Sequence, residues 1–277
     1  MKNLAFWWRD PNSSSYNLGD EITRIIFKEY YGFDLKKVSI ERCDFISTGS
    51  ILNWLPTVAS KKTKKTYVLG SGFMNPEVDI ELVDSLVKAK KIDFKFVRGY
   101  FTKSLLPISV QSTCSVGDPG LLLYNMFSPV YQTKEDNNAK VGLIPHHSQM
   151  NNEWVEKVLE DKNIELIDIR TDSIQDFVDE LRKYKYIVSQ SLHGLIFCDA
   201  LLIPNVWLRV KALHKGGDFK FHDYFSSINR DHNKFITHES LSSPVDIVKN
   251  LYIPDSKIIS ERANDIDQSL RNFIKEK

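Results

Sequence analysis

A histidine stands at a polar corner in the stretch YIVSQSLHGLIFCDALLIPNVWL, residues 186–208. An apolar strand, Tyr186–Gln190, runs into Ser191-Leu192-His193-Gly194, and an apolar helix follows until Pro204 stops it. An imidazole titrates near neutrality, so His193 could move a proton or meet an anion, although a lone histidine at a helix start also serves as plain structure. Gly194 beside it suits close helix–strand packing or a close ligand. Comparable corners occur elsewhere: NLGD with Asn17 and Asp20, STGS with Ser50, GSG with Ser71, Arg98-Gly99, Asp118-Pro119-Gly120, and PHH with His146 and His147. Helix starts expose backbone N–H groups that favour anions. Arg98 adds a fork suited to carboxylate or phosphate. Each residue also has a plain structural role: Asp118-Pro119-Gly120 as a turn, Asp20 as a helix-start residue, Arg98 as a surface arginine. Adjacent His146 and His147 are expected to face different ways, with at most one in a cleft.

The elements that must position these corners follow an α/β pattern of short apolar runs alternating with amphipathic helices. Strands are expected at Leu4–Trp8, Asp44–Thr48, Thr66–Gly70 and Phe94–Gly99, with helices at Gly19–Gly32 and Val78–Lys91. Ile22, Ile25 and Ile26 give the first helix an apolar face, and Gly32 is its C-terminal stop. The polar stretch Thr133–Lys140 reads as a linker. A second unit then alternates strand and helix: Val141–His147, Asn152–Lys162, Ile164–Ile169, Ser173–Tyr184, Tyr186–Gln190, Leu192–Ile203 and Asn205–Val210. That order is the signature of a doubly wound parallel sheet. A final amphipathic helix over 256–277 carries Ile258, Ile259, Ala263, Ile266, Leu270 and Ile274 on one side. Two Rossmann-like domains, 1–135 and 136–277, would face a cleft beyond the carboxyl ends of their strands, with the last helix available to return to the first domain.

Composition narrows the function classes. The 277 residues are 42% hydrophobic, ample for a large core, and 37 Lys and Arg balance 36 Asp and Glu at a net charge of +1. That balance gives no support to a nucleic-acid partner. The basic runs Lys61–Lys65 and Lys88–Lys91 are expected to be a solvated loop and a helix C-terminus. Cys43, Cys114 and Cys198 form no CxxC pair, which suggests neither a disulfide framework nor a zinc site and fits a reducing, cytoplasmic location. No signal peptide or membrane-length apolar run is visible. No G-x-G-x-x-G opens a strand–helix turn, no P-loop is present, and no His/Glu pair at helical spacing suggests a metal.

Taken together and in order, NLGDEI (residues 17–22), GSGF (70–73), VRGYFTKSLL (97–106), VGDPGLLL (116–123), VGLIPHH (141–147) and VSQSLHGLIFCDALLIPNVW (188–207) resemble the polysaccharide pyruvyl transferase family, and FKFHDYF (219–225) resembles its exopolysaccharide branch. The resemblance covers nearly the whole chain. It implies a GT-B-like architecture and transfer of a pyruvyl unit from phosphoenolpyruvate, as co-substrate with no bound cofactor, to a sugar of a surface or capsular polysaccharide precursor, forming a pyruvate ketal. It also implies acceptors that include polyprenyl-diphosphate-linked glycans at the inner membrane face. The family's Leu-His-Gly motif falls on Leu192-His193-Gly194, which makes His193 the general acid/base or phosphate contact. Its upstream arginine falls on Arg98, a clamp for donor phosphate or carboxylate. Ser191 departs from the arginine many members carry there, and Arg209, Lys211, Lys215 or Lys220 are candidates to supply that charge. The donor set is therefore Arg98, Ser191, Leu192, Gly194 and Lys220, and the acceptor or cleft set is Asn17, Asp20, Ser50, Ser71, Asp118 and His146. Two other readings stand beside this one: a GT-B glycosyltransferase using a nucleotide sugar, and a non-catalytic glycan-binding or scaffold protein.

Overall fold

The structure, a computed structural model, describes residues 3–9, 16–127, 140–210, 216–241 and 244–276. The first half runs β1 (Leu4–Phe6), α1 (Leu18–Ile25), β2 (Lys36–Lys37), β3 (Phe45–Ile46), α2 (Leu55–Lys61), β4 (Thr66–Leu69), α3 (Ile80–Lys88), β5 (Ile92–Val97), α4 (Tyr100–Ser104), α5 (Ile108–Gln111), β6 (Ser115–Val116) and α6 (Leu123–Met126). The second runs β7 (Val141–Ile144), α7 (Glu153–Val158), β8 (Ile164–Leu166), α8 (Ile174–Leu181), β9 (Tyr186–Ser189), α9 (Leu192–Ala200), β10 (Asn205–Trp207), α10 (Phe219–Ser227), α11 (Pro244–Lys249) and α12 (Ser256–Lys275).

Every pairing between these strands is parallel. One sheet has the order β2-β1-β3-β4-β5-β6 and the other β10-β9-β7-β8. In each, the first strand of the half lies between its second and third, so the winding direction reverses there. The switch points are β1/β3 and β7/β9. Ligands of doubly wound sheets sit in the crevice at such points, outside the carboxyl ends of the strands. Strand β7 is buried at all four residues and β9 at three of its four, as parallel strands covered on both faces require.

One continuous apolar cluster contains side chains from both halves, including Leu18, Ile22, Phe45, Leu195, Phe197 and Trp207. A second, with Val68, Val83 and Val97, belongs to the first sheet, and a third, with Leu143, Val188 and Val206, to the second. Helix α12 is capped by Asp255, whose side chain accepts from the Lys257 and Ile258 N–H groups. It buries Ile259, Ala263, Ile266, Leu270 and Phe273, and the Phe273 ring lies 5.4 Å from Phe45 and 5.2 Å from Tyr67 of the first sheet. All but Lys140 of the linker expected at 133–140, and the boundary at 135/136, fall in 128–139, outside the described residues.

Two local expectations are corrected. The helix expected over 19–32 is α-helical only to Ile25 and continues as a π-turn, Ile26–Tyr30, in which the Tyr31 N–H donates to the Ile26 carbonyl. Ile25, Ile26 and Phe27 are all buried. The wider turn lets three consecutive apolar residues face the core, which a strict 3.6-residue period does not. Nor is the Lys61–Lys65 run wholly solvated. Lys62 is buried, and its ammonium donates to the carbonyls of Ile40 (3.3 Å) and Cys43 (2.6 Å) and to Thr66 Oγ1 (2.6 Å). It satisfies carbonyls that the connection before β3 would otherwise bury unpaired.

Candidate active site

A cavity of about 290 Å³ opens at the carboxyl ends of the strands of both sheets. Its walls follow the topology strand by strand. Trp8, Asn17 and Asp20 come after β1; Gly49, Ser50, Ile51 and Trp54 after β3; Met74 after β4; Arg98 after β5; Asp118 after β6. From the other sheet come His146 and His147 after β7, Ser191, Leu192 and His193 after β9, and Lys220 on α10.

The helix carrying His193 begins where Ser191 accepts from the Gly194 N–H at 3.4 Å. Of its nine residues, only His193 is not fully buried. The others are buried, Asp199 among them as acceptor from Asn205 and Tyr224, and the one imidazole of the helix lines the cavity. His193 Nε2 has no hydrogen-bond partner. Burial, reinforced by the positive charges of Lys220 and Arg98, holds the imidazole down at about 3, so it is neutral at physiological pH with Nε2 buried and unpartnered. The ring lies over Gly19 at the start of α1, where a methyl group would stand 2.3 Å from Nδ1. Glycine in NLGD is what lets the two helix starts meet.

Asn17 caps α1 by accepting from the Gly19 N–H (3.2 Å) and donates to Asp20 Oδ2 (2.9 Å). Burial pushes the Asp20 carboxyl up to about 7, against the pull of Lys220 and the Asn17 hydrogen bond. Lys220 is itself buried, and desolvation together with Arg98 brings its ammonium down to about 7, partly countered by Asp20. Asp118 caps the Pro119–Leu122 turn through the Gly120 N–H (2.9 Å), while its Oδ2 has no partner, and burial raises it to about 6. The cavity thus gathers four titratable groups, each moved by desolvation toward its neutral form.

Arg98 is not a surface arginine. It is buried, and its Nε donates to Asp223 Oδ2 at 2.9 Å, Nη1 to Ser50 Oγ and Nη2 to the Phe73 carbonyl at 2.7 Å. Two guanidinium N–H groups remain beyond these three bonds. Asp223 also accepts from the Thr102 N–H and Thr102 Oγ1, both at 2.7 Å, and Ser226 Oγ accepts from the Tyr100 N–H at 2.9 Å. Gly99, the N-cap of α4, has no side chain to do this; a methyl group there would lie 1.7 Å from the Asp223 carbonyl oxygen. Helix α10 supplies the cap instead, and the same contact brings Lys220 to the cavity.

Other expectations fare differently. Both His146 and His147 line the cavity, their rings 4.3 Å apart, because the first is the N-cap of a short 3₁₀ turn that the second opens. Ser71 and Gly194 do not line it: Ser71 Oγ donates to the Gly49 carbonyl, and Gly194 lies against Ser189 Oγ. Arg209 turns to Asp218 (2.7 Å) and the Phe235 ring, away from the cavity walls. Lys211 and Lys215 lie outside the described residues. Sequence reasoning passed over Trp8, Trp54, Ile51, Met74 and Asp223. The only trace of the last was an acid set among the aromatics of FKFHDYF. Among the described residues no cluster of His, Cys, Asp or Glu is placed to ligate a metal, and no helix is long and apolar enough to cross a membrane.

The polysaccharide pyruvyl transferase family profile matches residues 5–211. The chain belongs to that family. It is 31% identical over 236 residues to uncharacterized protein L143 of Acanthamoeba polyphaga mimivirus, covering 79% of this chain and 74% of that one. It is 25% identical over 231 residues to the succinoglycan biosynthesis protein ExoV of Rhizobium meliloti (strain 1021), covering 80% of this chain and 64% of that one, just under two thirds of its length. Among solved structures, a protein described as a UDP-N-acetylglucosamine 2-epimerase from Listeria monocytogenes superposes with a TM-score of 0.48 at 11% identity, over 94% of this chain and 90% of that one. Family membership supports a role in polysaccharide biosynthesis by pyruvyl transfer.

Proposed function

We propose that this transferase takes the pyruvyl unit from phosphoenolpyruvate and bridges two hydroxyls of one sugar in a surface polysaccharide precursor as a ketal, in a GT-B-like cleft between two Rossmann-like domains. The observation that carries the reading is the cavity's chemistry: cations, a neutral imidazole and a protonatable carboxyl in about 290 Å³. Pockets for drug-sized ligands start near this volume, so the space suits a three-carbon phosphate better than a nucleotide sugar. The donor's phosphate and carboxylate would meet Lys220, the remaining Arg98 N–H groups and the start of α9.

The proton steps follow from pKa values pushed apart. Asp20, held up at about 7, carries a proton that can go to the donor's methylene carbon, which becomes the ketal methyl group and leaves an oxocarbenium-like centre at C2. His193, kept neutral by burial, has an unpartnered Nε2 that can accept the proton of the attacking sugar hydroxyl once the donor's anionic groups offset the nearby positive charges. The C2–O bond to phosphate breaks, and His193 returns its proton to the leaving phosphate. The second hydroxyl closes the ketal, and its proton replaces the one Asp20 gave. Overall, one hydroxyl proton ends in the methyl group and the other on phosphate. The acceptor would be carried on polyprenyl diphosphate at the inner membrane face.

The test has two parts. Phosphoenolpyruvate should raise the melting temperature, and phosphate should be released only when a glycan acceptor is present. Stabilisation by a nucleotide sugar and not by phosphoenolpyruvate would instead establish a glycosyltransferase.

A further inference from the structure

At its mouth the cavity changes character. The ionisable groups, Lys220, His193, Asp20 and Arg98, share it with two indoles, Trp8 and Trp54, which are 39% and 44% exposed. Their centroids are 5.3 Å apart and their planes inclined at 51°, so the rings touch without covering each other. Trp8 follows β1, and Trp54 ends the short Leu52–Trp54 turn after β3. The pair therefore brackets the switch point of the first sheet. Large apolar side chains left in water beside a polar pocket mark a surface that a ligand covers.

We infer that Trp8 and Trp54 are the acceptor platform, on which the apolar C–H face of a pyranose ring stacks so that its hydroxyl edge turns toward His193. The inference rests on the pyruvyl-transfer reading. A pyranose fits the pair for a physical reason. One face of the ring presents polarised C–H groups, which suit the negative face of an indole, while its hydroxyls lie along the rim. A tilted pair grips a ring from two sides and fixes which hydroxyls are presented. Phosphoenolpyruvate is a small anion with no such face and belongs at the cationic end. The sugar is then held by the indoles after β1 and β3, and the donor lies at the cationic end formed by Lys220, the start of α9 and Arg98 after β5.

The experiment is saturation-transfer NMR on the full chain, with methyl β-glucopyranoside, methyl β-galactopyranoside and methyl α-mannopyranoside as probes, with and without phosphoenolpyruvate. At least one glycoside should receive saturation from the protein, strongest on the ring protons of one face. The Trp8→Ala/Trp54→Ala double variant should weaken that glycoside's binding by about tenfold or more, and Trp8→Phe/Trp54→Phe should keep most of it. Both indoles are exposed, so these variants should fold, and the melting temperature is recorded for each. A rise in melting temperature with phosphoenolpyruvate should persist in all of them. If phosphoenolpyruvate stabilises the protein but the alanine variant binds glycosides like the parent, or the parent binds none, the platform is refuted and the transfer reading stands. If glycoside binding depends on the indoles while phosphoenolpyruvate has no effect, the transfer reading fails and the platform stands. Saturation passing to uridine in preference to the glycosides, and lost in the alanine variant, would make the pair a nucleobase site and overturn the inference.

Discussion

The contact between Arg98 and Asp223 joins the end of β5 to α10 and can be tested by one isosteric change. Asp223→Asn keeps an oxygen to accept from the Thr102 N–H. It puts an amide N–H₂ where Oδ2 now receives the Arg98 Nε proton at 2.9 Å and the Thr102 hydroxyl at 2.7 Å. Both side chains are essentially inaccessible, at 1% and 0% exposure, so water cannot replace the lost acceptor. Removing one member of such a pair strands the other charge and costs roughly 3–5 kcal/mol. For a chain of this size that corresponds to a fall in melting temperature on the order of 10 °C. Calorimetry and urea unfolding would measure it. The second arm is Arg98→Met/Asp223→Leu, which removes both charges. It should recover much of the loss, with a coupling energy of about 1 kcal/mol or more. An Asp223→Asn protein melting within about 1 °C of the parent, or a double variant as unstable as the sum of the singles, refutes the view that Arg98 is anchored by α10. The cycle also sets how activity data are read. Loss of turnover in Arg98→Ala reports on donor binding only after the loss of the anchor is subtracted.

His193→Gln should lower kcat by roughly 10²–10⁴-fold with little change in urea midpoint, since Nε2 holds no protein partner to lose; unchanged turnover would remove it from the proton steps. Gly19→Ala should raise local helix propensity yet lower kcat, because its methyl group displaces an imidazole it would otherwise approach to 2.3 Å; a fully active variant would show that the ring position does not matter. Lys220→Met should stabilise the empty protein. The folded-state pKa of Lys220 is depressed to about 7, so the parent's stability falls as pH drops from the unfolded value near 10.5 through 7. The variant's advantage, on the order of a few kcal/mol, should be full below pH 7 and vanish above about 10.5; an advantage independent of pH would refute the desolvation argument.

How much of this was legible beforehand depended on whether a feature is local. Parallel sheets, the alternation of strand and helix and the corner at His193 were readable, because each rests on periodicity or on a strand running into a helix start. The π-turn at Ile26–Tyr30 was not. A run of apolar residues through 25–27 satisfies an α-helical template well enough that only tertiary packing shows all three to be buried. Lys62 was misjudged because a lysine run has the composition of a solvated loop, and nothing in the run itself reveals the Ile40 and Cys43 carbonyls it must satisfy. Adjacent histidines in a strand face opposite ways, but the strand ends two residues before His146, at Ile144. Trp8 and Trp54 are 46 positions apart in the chain and meet only because β1 and β3 are neighbours in the sheet.

The same contrast explains Ser191. A corner without the family's arginine looked like a weakened donor site when read along the chain. In three dimensions Ser191 caps α9, and the ammonium in the cavity comes from Lys220, 29 positions later. Lys220 reaches the cavity because α10 is docked on the start of α4 through Gly99, Asp223 and Ser226. The charge at the corner and the docking of α10 are therefore one problem. Where the cation is carried by a distant helix, that helix must be fixed, and the buried Arg98–Asp223 pair is what fixes it. Ser191, which caps α9, and the acid in FKFHDYF, which holds Arg98, lie far apart in the sequence and are brought to one cavity by the fold.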